Sequence, residues 1–339
     1  MAEERERLFT RIDALRADGV ELLQELVRVD STTPTLPGVV REEVIGGESR
    51  CNEILHERYE QAGLETHWVA EDPERRNLVG VRAGAGGGRS LVLNAHIDTV
   101  APVEPESWLC GSPWNPEVRD GRLYGLGSTD MKASGAAMWL TAQALHDEGV
   151  RLKGELQLHS VVGEEMMEHP LGTTACIEAG FRADAAIVTE PTSFPRPLTV
   201  SPVAAGVWIL RIVVRGKPTH CGNRPLSIRP GGPGDAIGVN ALEKAIDIVG
   251  WLQQLEEQWG LTKSHPHFSP GFFNIDQWMV QHLCQVRRKA DVILVTAGLP
   301  AEEIPGLLAT PAASSASTCA NTASPSSPPA AAPRRSRPR

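Results

Sequence analysis

The sequence predicts an α/β fold built on a mostly parallel sheet, and two observations lead to this prediction. Short apolar runs of strand length alternate along the chain with segments whose apolar residues recur at helical spacing. Strands that alternate with helices are typical of βαβ units, whose strands join one parallel sheet. Histidine and carboxylate residues also follow several of the apolar runs, at the strand ends where open α/β sheets build their sites.

The individual elements are predicted from spacing and from turn residues. Apolar residues three and four apart indicate the helices, short apolar runs indicate the strands, and Asp120-Gly121 indicates a hairpin. The predicted helices cover residues 3–28, 48–62, 131–146, 170–180 and 238–257, and the predicted strands cover 65–70, 77–83, 90–95, 154–162, 185–189, 207–214 and a start near 272. The glycine-rich stretch 84–88 precedes a strand rather than a helix, so we expect a hairpin turn there and not a phosphate-binding loop.

Composition argues against several classes of protein. The 339 residues carry 33 Lys and Arg against 42 Asp and Glu, and a net charge of -9 does not supply the basic face that nucleic acids require. No apolar run approaches the roughly 18 residues of a membrane span, and the densely charged N-terminus lacks the apolar core of a signal peptide. The six cysteines are scattered without a CxxC pair, which is typical of a reducing compartment. We therefore expect a cytoplasmic protein that binds neither nucleic acid nor membrane.

One histidine and several carboxylates lie at the ends of different predicted strands. His96 and Asp98 follow the strand 90–95, and residues two apart face the same side of a strand. The other carboxylates follow a glycine-bearing loop or the next two strands, namely Asp130, Glu164, Glu165 and Glu190. Carboxylates that meet at one place repel one another unless a cation compensates them or one of them is protonated, and imidazole with carboxylate suits zinc, cobalt or manganese. The pattern therefore predicts a metal site.

These motifs together resemble those of the M20 metallopeptidases, a group that includes acetylornithine deacetylase, succinyl-diaminopimelate desuccinylase, aminoacylases and glutamate carboxypeptidase. The matching segments are NAHIDTV at 94–100, GLGSTDMKAS at 125–134, VVGEEM at 161–166, TEPT at 189–192 and GKPTHCGNRP at 216–225. The resemblance extends over about residues 5–275. It is specific for the family and much less specific for the substrate.

The resemblance implies a zinc-exopeptidase-like catalytic domain over residues 1–202 and a smaller α+β lid and dimerisation domain over 203–275. It also implies two divalent metal ions, zinc or cobalt with manganese as a further option. Position by position, Asp130 matches the aspartate that bridges the two ions. His96 and Glu190 match its partners on one ion, and Glu165 matches a ligand of the other.

Three further residues match family positions around the metals. Asp98 matches the carboxylate that orients the metal-bound His96, a support that histidine ligands usually require. Glu164 matches the general base, which takes a proton from the water activated by the two metals and passes it to the leaving amine. His220 matches the lid histidine, which in family members stabilises the oxyanion across a homodimer.

The implied activity is hydrolysis of an amide bond in an N-acyl amino acid or a small peptide-like substrate. A dipeptidase or carboxypeptidase of the same family is the first alternative, and a catalytically dead remnant is the second. Metal-dependent amide hydrolysis by the purified chain separates an enzyme from a remnant.

The resemblance stops at Ile275, after which the composition shifts toward Ala, Ser, Pro and Arg. Residues 276–339 are expected to form an atypical, disordered tail, as if translated in a shifted frame, which leaves the lid domain incomplete. The final histidine ligand of the family has no counterpart there, since His282 lies in no family motif. We therefore expect the ion at His96, Asp130 and Glu190 to bind more tightly than its neighbour.

Overall fold

The computed structural model describes residues 2–192, 199–200, 207–262, 272–280 and 289–297. The chain divides into two compact units, Met1–Thr199 and Val200–Arg339, and each is described by itself. In the described part of the chain, no helix has both the length and the apolar character needed to cross a membrane.

The first unit contains six helices and seven strands among its described residues. The helices are α1 (Ala2–Ala14), α2 (Arg16–Arg28), α3 (Arg41–Val44), α4 (Gly47–Gln61), α5 (Lys132–Asp147) and α6 (Thr173–Glu178). The strands are β1 (Glu65–Asp72), β2 (Arg75–Arg82), β3 (Leu91–His96), β4 (Glu117–Arg119), β5 (Arg122–Tyr124), β6 (Leu156–Val161) and β7 (Ala185–Val188). The hairpin expected at Asp120-Gly121 joins β4 to β5, and Asp120 and Gly121 both adopt the positive φ of a tight turn.

Five of these strands form one sheet in the order β1-β2-β6-β3-β7. Strand β3 pairs in parallel with β6 and β7, whereas β2 pairs antiparallel with β1 and β6. Four of the five strands therefore run in one direction and only β2 opposes them. The predicted α/β fold with a mostly parallel sheet is confirmed.

The glycine-rich stretch 84–88 does not form the hairpin turn that its composition predicts. Strand β6 lies between β2 and β3, so this stretch is a crossover loop and not a hairpin turn. Its backbone is held by the segment that precedes β6, because the amides of Ala85 and Gly86 donate to the carbonyls of Leu152 and Lys153. Glycine content predicted a turn, but the strand order was set by a partner from a distant part of the chain.

The core of the first unit lies between the sheet and helices α2, α4 and α5. Each helix contributes apolar residues at helical spacing, such as Leu22 and Leu26 on α2 and Leu55 and Tyr59 on α4, and all four are fully buried. Lys132, at the start of α5, is also buried and donates to the carbonyls of Leu26 and Val29 at 2.8 Å each. This lysine ties the end of α2 to the segment that carries Asp130.

The second unit contains a three-stranded antiparallel sheet and two helices among its described residues. Its elements are β8 (Val207–Arg215), α7 (Arg224–Ile228), α8 (Ala241–Thr262), β9 (Phe272–Val280) and β10 (Lys289–Ala297), with strand order β8-β10-β9. Helix α8 buries Ala245 and Leu252 in a small core with Val214 of β8.

The expectation that residues 276–339 contribute little ordered structure is wrong for two segments. Strand β9 continues to Val280, and β10 is paired on both sides, with β8 over its whole length and with β9. This central position satisfies the backbone hydrogen bonds of β10 on both edges, which explains why a segment beyond Ile275 is a strand. The rest of the expected tail, including His282, lies outside the described residues.

Candidate metal centre

The strand ends of the first unit bring the predicted site residues together around His96. His96 is the last residue of β3, Asp130 lies two residues before α5, and Glu164 follows the end of β6. Glu190 lies two residues beyond β7. Because β3, β6 and β7 run in parallel, their carboxyl ends meet at one edge of the sheet.

The imidazole of His96 faces three carboxylates. Its Nε2 lies 3.1 Å from Oδ1 of Asp130, 3.6 Å from Oε2 of Glu164 and 3.7 Å from Oε2 of Glu190. One ligand atom each from His96, Asp130 and Glu165 lies within 4.8 Å of the others, a spacing that could hold a metal ion. His96 is buried while the side chains of Asp130, Glu164 and Glu190 are about half exposed, so the cluster opens toward solvent.

Asp98 connects His96 to the loop that carries the two glutamates. Its backbone carbonyl accepts a hydrogen bond from Nδ1 of His96 at 3.0 Å, and its carboxylate lies 3.5 Å from the same nitrogen. With Nδ1 donating to a carbonyl, Nε2 is the ring nitrogen that a cation could take by displacing its proton. The Asp98 carboxylate, which is fully buried, also accepts the backbone amides of Glu164 at 3.2 Å and Glu165 at 3.0 Å.

The pKa values of the cluster residues indicate which groups hold protons that a cation would replace. Burial lowers the pKa of His96, but its hydrogen bonds to Asp130 and Asp98 outweigh burial and raise it to about 11. The hydrogen bond from His96 in turn lowers the pKa of Asp130. Burial, with repulsion from neighbouring carboxylates, raises the pKa of Glu165 and of Glu190 to about 7. Protons thus compensate the carboxylates here, and the donor set fits a divalent cation that would displace them.

A cavity of about 260 Å³ lies beside these carboxylates. Asp130 and Glu165 form one side, and the loops before α5 and after β3 form the rest, including Thr99, Val100 and Trp108. The amide of Val100 donates to Oε1 of Glu165 at 3.2 Å, which fixes this carboxylate at the cavity wall. The cavity is large enough to give a small molecule access to the cluster.

His220 lies in the second unit, where it is exposed. It precedes a short 3₁₀ turn, and its Nδ1 accepts a hydrogen bond from the amide of Gly222 at 3.0 Å. The predicted site residues of the first unit thus come together, while His220 is described only within its own unit.

A buried ion pair behind the cluster was not predicted from the sequence. Arg75 of β2 and Glu48 of α4 are 1% and 2% exposed, and Glu48 also accepts the amide of Gly163 at 3.1 Å. The two residues are 27 positions apart, and nothing in their local sequence distinguishes them from other surface charges. The motif VVGEEM points to this loop, but not to the groups that hold it.

Comparison with family models and curated proteins identifies relatives of this chain. Residues 92–326 match the model of Peptidase family M20/M25/M40. The chain is 32% identical over 279 residues to an N-formyl-4-amino-5-aminomethyl-2-methylpyrimidine deformylase from Halalkalibacterium halodurans, an alignment that covers 81% of this chain and 61% of the relative. It is 34% identical over 182 residues to a succinyl-diaminopimelate desuccinylase from Methylocella silvestris, over 51% of this chain and 43% of the relative. The chain thus spans less than two thirds of the length of either relative.

Among solved structures, a dipeptidase from Saccharomyces cerevisiae is similar with a TM-score of 0.63 at 12% identity, over 91% of this chain and 75% of that one. At such identity the likeness concerns the fold, and it agrees with the mixed α/β architecture described above. The family model covers more than half of the chain and includes every segment that contributes to the cluster around His96. The chain is therefore a member of Peptidase family M20/M25/M40.

Proposed function

We propose that this chain is a metal-dependent amidohydrolase that removes an acyl group from a small N-acyl compound. The observation that carries the proposal is the meeting of His96 Nε2 with the carboxylates of Asp130, Glu164 and Glu190 within 3.7 Å, beside an open cavity. The relatives named as a deformylase and a desuccinylase support deacylation over peptide cleavage.

The proposed ligands are His96, Asp130, Glu165 and Glu190, which would hold two divalent ions with Asp130 shared between them. Zinc or cobalt suits this mixture of imidazole and carboxylates, and manganese is a further option. When bound, such ions polarise the amide carbonyl and lower the pKa of water. His96 is prepared for this role by Asp98, whose carbonyl fixes the ring through Nδ1.

Glu164 is the proposed general base. Its side chain is half exposed, and its Oε2 lies 3.6 Å from Nε2 of His96, at the open side of the cluster. Asp98 holds its backbone amide at 3.2 Å, which limits where the carboxylate can move. In this position Glu164 takes a proton from the attacking water and returns it to the leaving amine, a transfer that typically contributes about 10²–10⁴-fold.

The second unit is proposed as a lid and dimerisation domain, with His220 stabilising the oxyanion across a homodimer. Residues 1–202 then form the catalytic domain and 203–275 belong to the lid. The exposed position of His220 supports such a role, since its ring is available to a substrate or a partner subunit. We also propose that the protein acts on small molecules and that it does so in the cytoplasm. The cytoplasmic location is supported by the cysteines, because the four that the structure describes are free thiols.

A substrate panel tests the proposal. The purified chain is stripped with a chelator, supplied with Zn²⁺ or Co²⁺, and offered N-formyl, N-acetyl and N-succinyl amines alongside dipeptides. We expect metal-dependent release of the amine from an N-acyl compound and its loss in Glu164→Gln. Cleavage of dipeptides alone would show that the chain is a peptidase and not a deacylase. Hydrolysis that survives both the chelator and Glu164→Gln would contradict the proposed mechanism.

A further inference from the structure

The loop between β6 and α6 carries Glu164 and Glu165, and we call its segment Gly163–Glu168 the metal loop. The loop makes a tight reversal, because Gly163 adopts φ +74° and the amide of Glu168 donates to the carbonyl of Gly163 at 2.8 Å. Its ends are therefore adjacent, and groups that bind both ends fix the position of the glutamates between them.

Two buried charged residues, Glu48 and Arg75, bind these two ends. Oε1 of Glu48 accepts the amide of Gly163 at 3.1 Å and Nη2 of Arg75 at 2.9 Å. Nη1 of Arg75 then donates to Oε2 of Glu168 at 2.7 Å, where the hydroxyl of Thr35 also donates at 2.9 Å. One arginine thus connects both ends of the metal loop to helix α4 and strand β2.

The same arginine reaches the segment behind β3. Nη2 of Arg75 lies 3.2 Å from the hydroxyl of Thr33, whose backbone amide donates to the carbonyl of Thr99 at 2.9 Å. Thr99 follows Asp98, which accepts the amides of the two glutamates. The guanidinium therefore links the metal loop, through Thr33, to the segment that follows His96.

Packing leaves little freedom in this arrangement. Arg75 and Glu48 are 1% and 2% exposed, so neither charge is solvated and each depends on the other. A Cβ added at Gly163 would lie 3.2 Å from Nη2 of Arg75, which shows how closely the loop backbone approaches the guanidinium. Nε and Nη2 of Arg75 donate to the two carboxylate oxygens of Glu48, and this bidentate pairing fixes the orientation of the guanidinium, which a lysine would not do.

We propose that Glu48, Arg75 and Glu168 form a clamp that positions the metal loop, so that Glu164 and Glu165 are pre-arranged for the metal ions. The three are positioning residues, since they act through the loop and not on the substrate. The inference rests on the proposed function, because it assumes that the cluster around His96 binds metal. Groups that orient metal ligands typically change metal affinity by about 10–100-fold when removed.

The test uses Glu168, because Arg75 and Glu48 are so buried that their removal endangers folding. The side chain of Glu168 is 22% exposed, and Arg75 keeps Glu48 as a partner when Glu168 is changed. Glu168→Ala removes the acceptor at one end of the loop, whereas Glu168→Gln keeps an acceptor and loses the charge. The matched control is Glu53→Ala, which breaks the neighbouring ion pair of Arg76 on the same strand, away from the loop.

The full chain and the three variants are titrated with Co²⁺, and the dissociation constant and the visible Co²⁺ absorption are recorded. We expect Glu168→Ala to bind Co²⁺ about 10-fold more weakly with an altered absorption band. Glu168→Gln should lie between Glu168→Ala and the unmodified chain, and Glu53→Ala should match the unmodified chain. Circular dichroism verifies that all four proteins are folded.

Three results would overturn the inference. Equal Co²⁺ affinity in Glu168→Ala and the unmodified chain would show that the backbone of the loop positions the glutamates without the clamp. Equal weakening in Glu168→Ala and Glu53→Ala would show a general effect of losing a carboxylate beside β2. Absence of Co²⁺ binding by the unmodified chain would overturn the proposed function together with the clamp, which separates that failure from the first two.

Discussion

Replacement of Asp98 by asparagine tests how the site is assembled. The buried carboxylate of Asp98 uses one oxygen for the amide of Glu164 and the other for the amide of Glu165. Asparagine has nearly the same shape but replaces one of these acceptors by an NH₂ group. One backbone amide of the metal loop then faces a donor, and the remaining hydrogen bond loses its negative partner.

The size of the effect follows from these contacts. A buried donor without an acceptor costs about 1–3 kcal/mol, and a hydrogen bond to a neutral acceptor is roughly half as strong as one to a charged acceptor. Loss of the negative charge also relieves repulsion within the carboxylate cluster, which offsets part of this cost. We therefore expect the free energy of unfolding of the metal-free chain to fall by about 1–3 kcal/mol. Metal affinity should fall by about 10–100-fold, because the loop loses a charged acceptor and His96 loses the carboxylate charge 3.5 Å from its Nδ1.

Urea unfolding followed by circular dichroism, with and without Zn²⁺, measures both quantities. Asp184→Asn is the matched control, because Asp184 also accepts two hydrogen bonds, from the amide of Ser90 at 2.7 Å and from its hydroxyl at 3.0 Å. Asp184 is exposed, so water can replace a lost acceptor there and the change should be smaller. If Asp98→Asn were as stable as the unmodified chain and bound Zn²⁺ equally well, Asp98 would not organise the site.

Other predictions concern the remaining residues of the first unit. Glu164→Gln should keep its metal and lose turnover by about 10²–10⁴-fold, whereas Asp130→Ala should lose both, and retained metal in Asp130→Ala would count against its role as a shared ligand. Metal affinity should decrease as the pH falls, because the raised pKa of His96, about 11, and of Glu165, about 7, means that a metal must displace protons. Calorimetric titration in buffers with different heats of protonation should show proton release, and a proton count of zero would refute this. Burial lowers the pKa of His159 from 6.5 to about 4, so between these values the unfolded chain binds a proton that the folded chain does not. Neutral His159 therefore lowers the free energy of unfolding by about 3 kcal/mol as the pH falls from 6.5 to 4, and it costs nothing above pH 6.5. The free energy of unfolding of His159→Gln should depend less steeply on pH in this range.

The sequence could predict which residues meet at the edge of the sheet because the signals are local. An apolar run followed by a histidine or a carboxylate marks the end of a buried strand, and parallel strands end on the same edge. His96 and Asp98 follow this rule on β3, and Glu164 and Glu165 follow it on β6. The position of each residue directly after a strand was enough to predict that these residues meet, without knowledge of the strand order.

Contacts between distant segments could not be predicted in the same way. Glu48 and Arg75 resemble ordinary surface charges in the sequence, and only the packing of α4 on β2 buries them together. The glycine-rich stretch predicted that β2 and β3 pair directly, whereas β6 lies between them in the sheet. Local composition does not specify the pairing partner of a strand. Strand β10 contains the apolar run Val292–Val295, which has the composition of a strand. The Ala, Ser and Pro-rich composition that indicates disorder begins only after this run, so the predicted disordered tail started too early in the chain.

The residues around His96 are expected to bind divalent metal ions, and every role proposed for the site depends on that binding. Anomalous X-ray scattering at the zinc absorption edge, from crystals of the chain grown with Zn²⁺, tests it most directly. We expect anomalous density next to His96 Nε2 and the carboxylate of Asp130, with a second peak toward Glu165. Crystals of Asp130→Ala grown in the same way should lack both peaks. Zinc density that is absent from this edge of the sheet, or that persists unchanged in Asp130→Ala, would contradict the account.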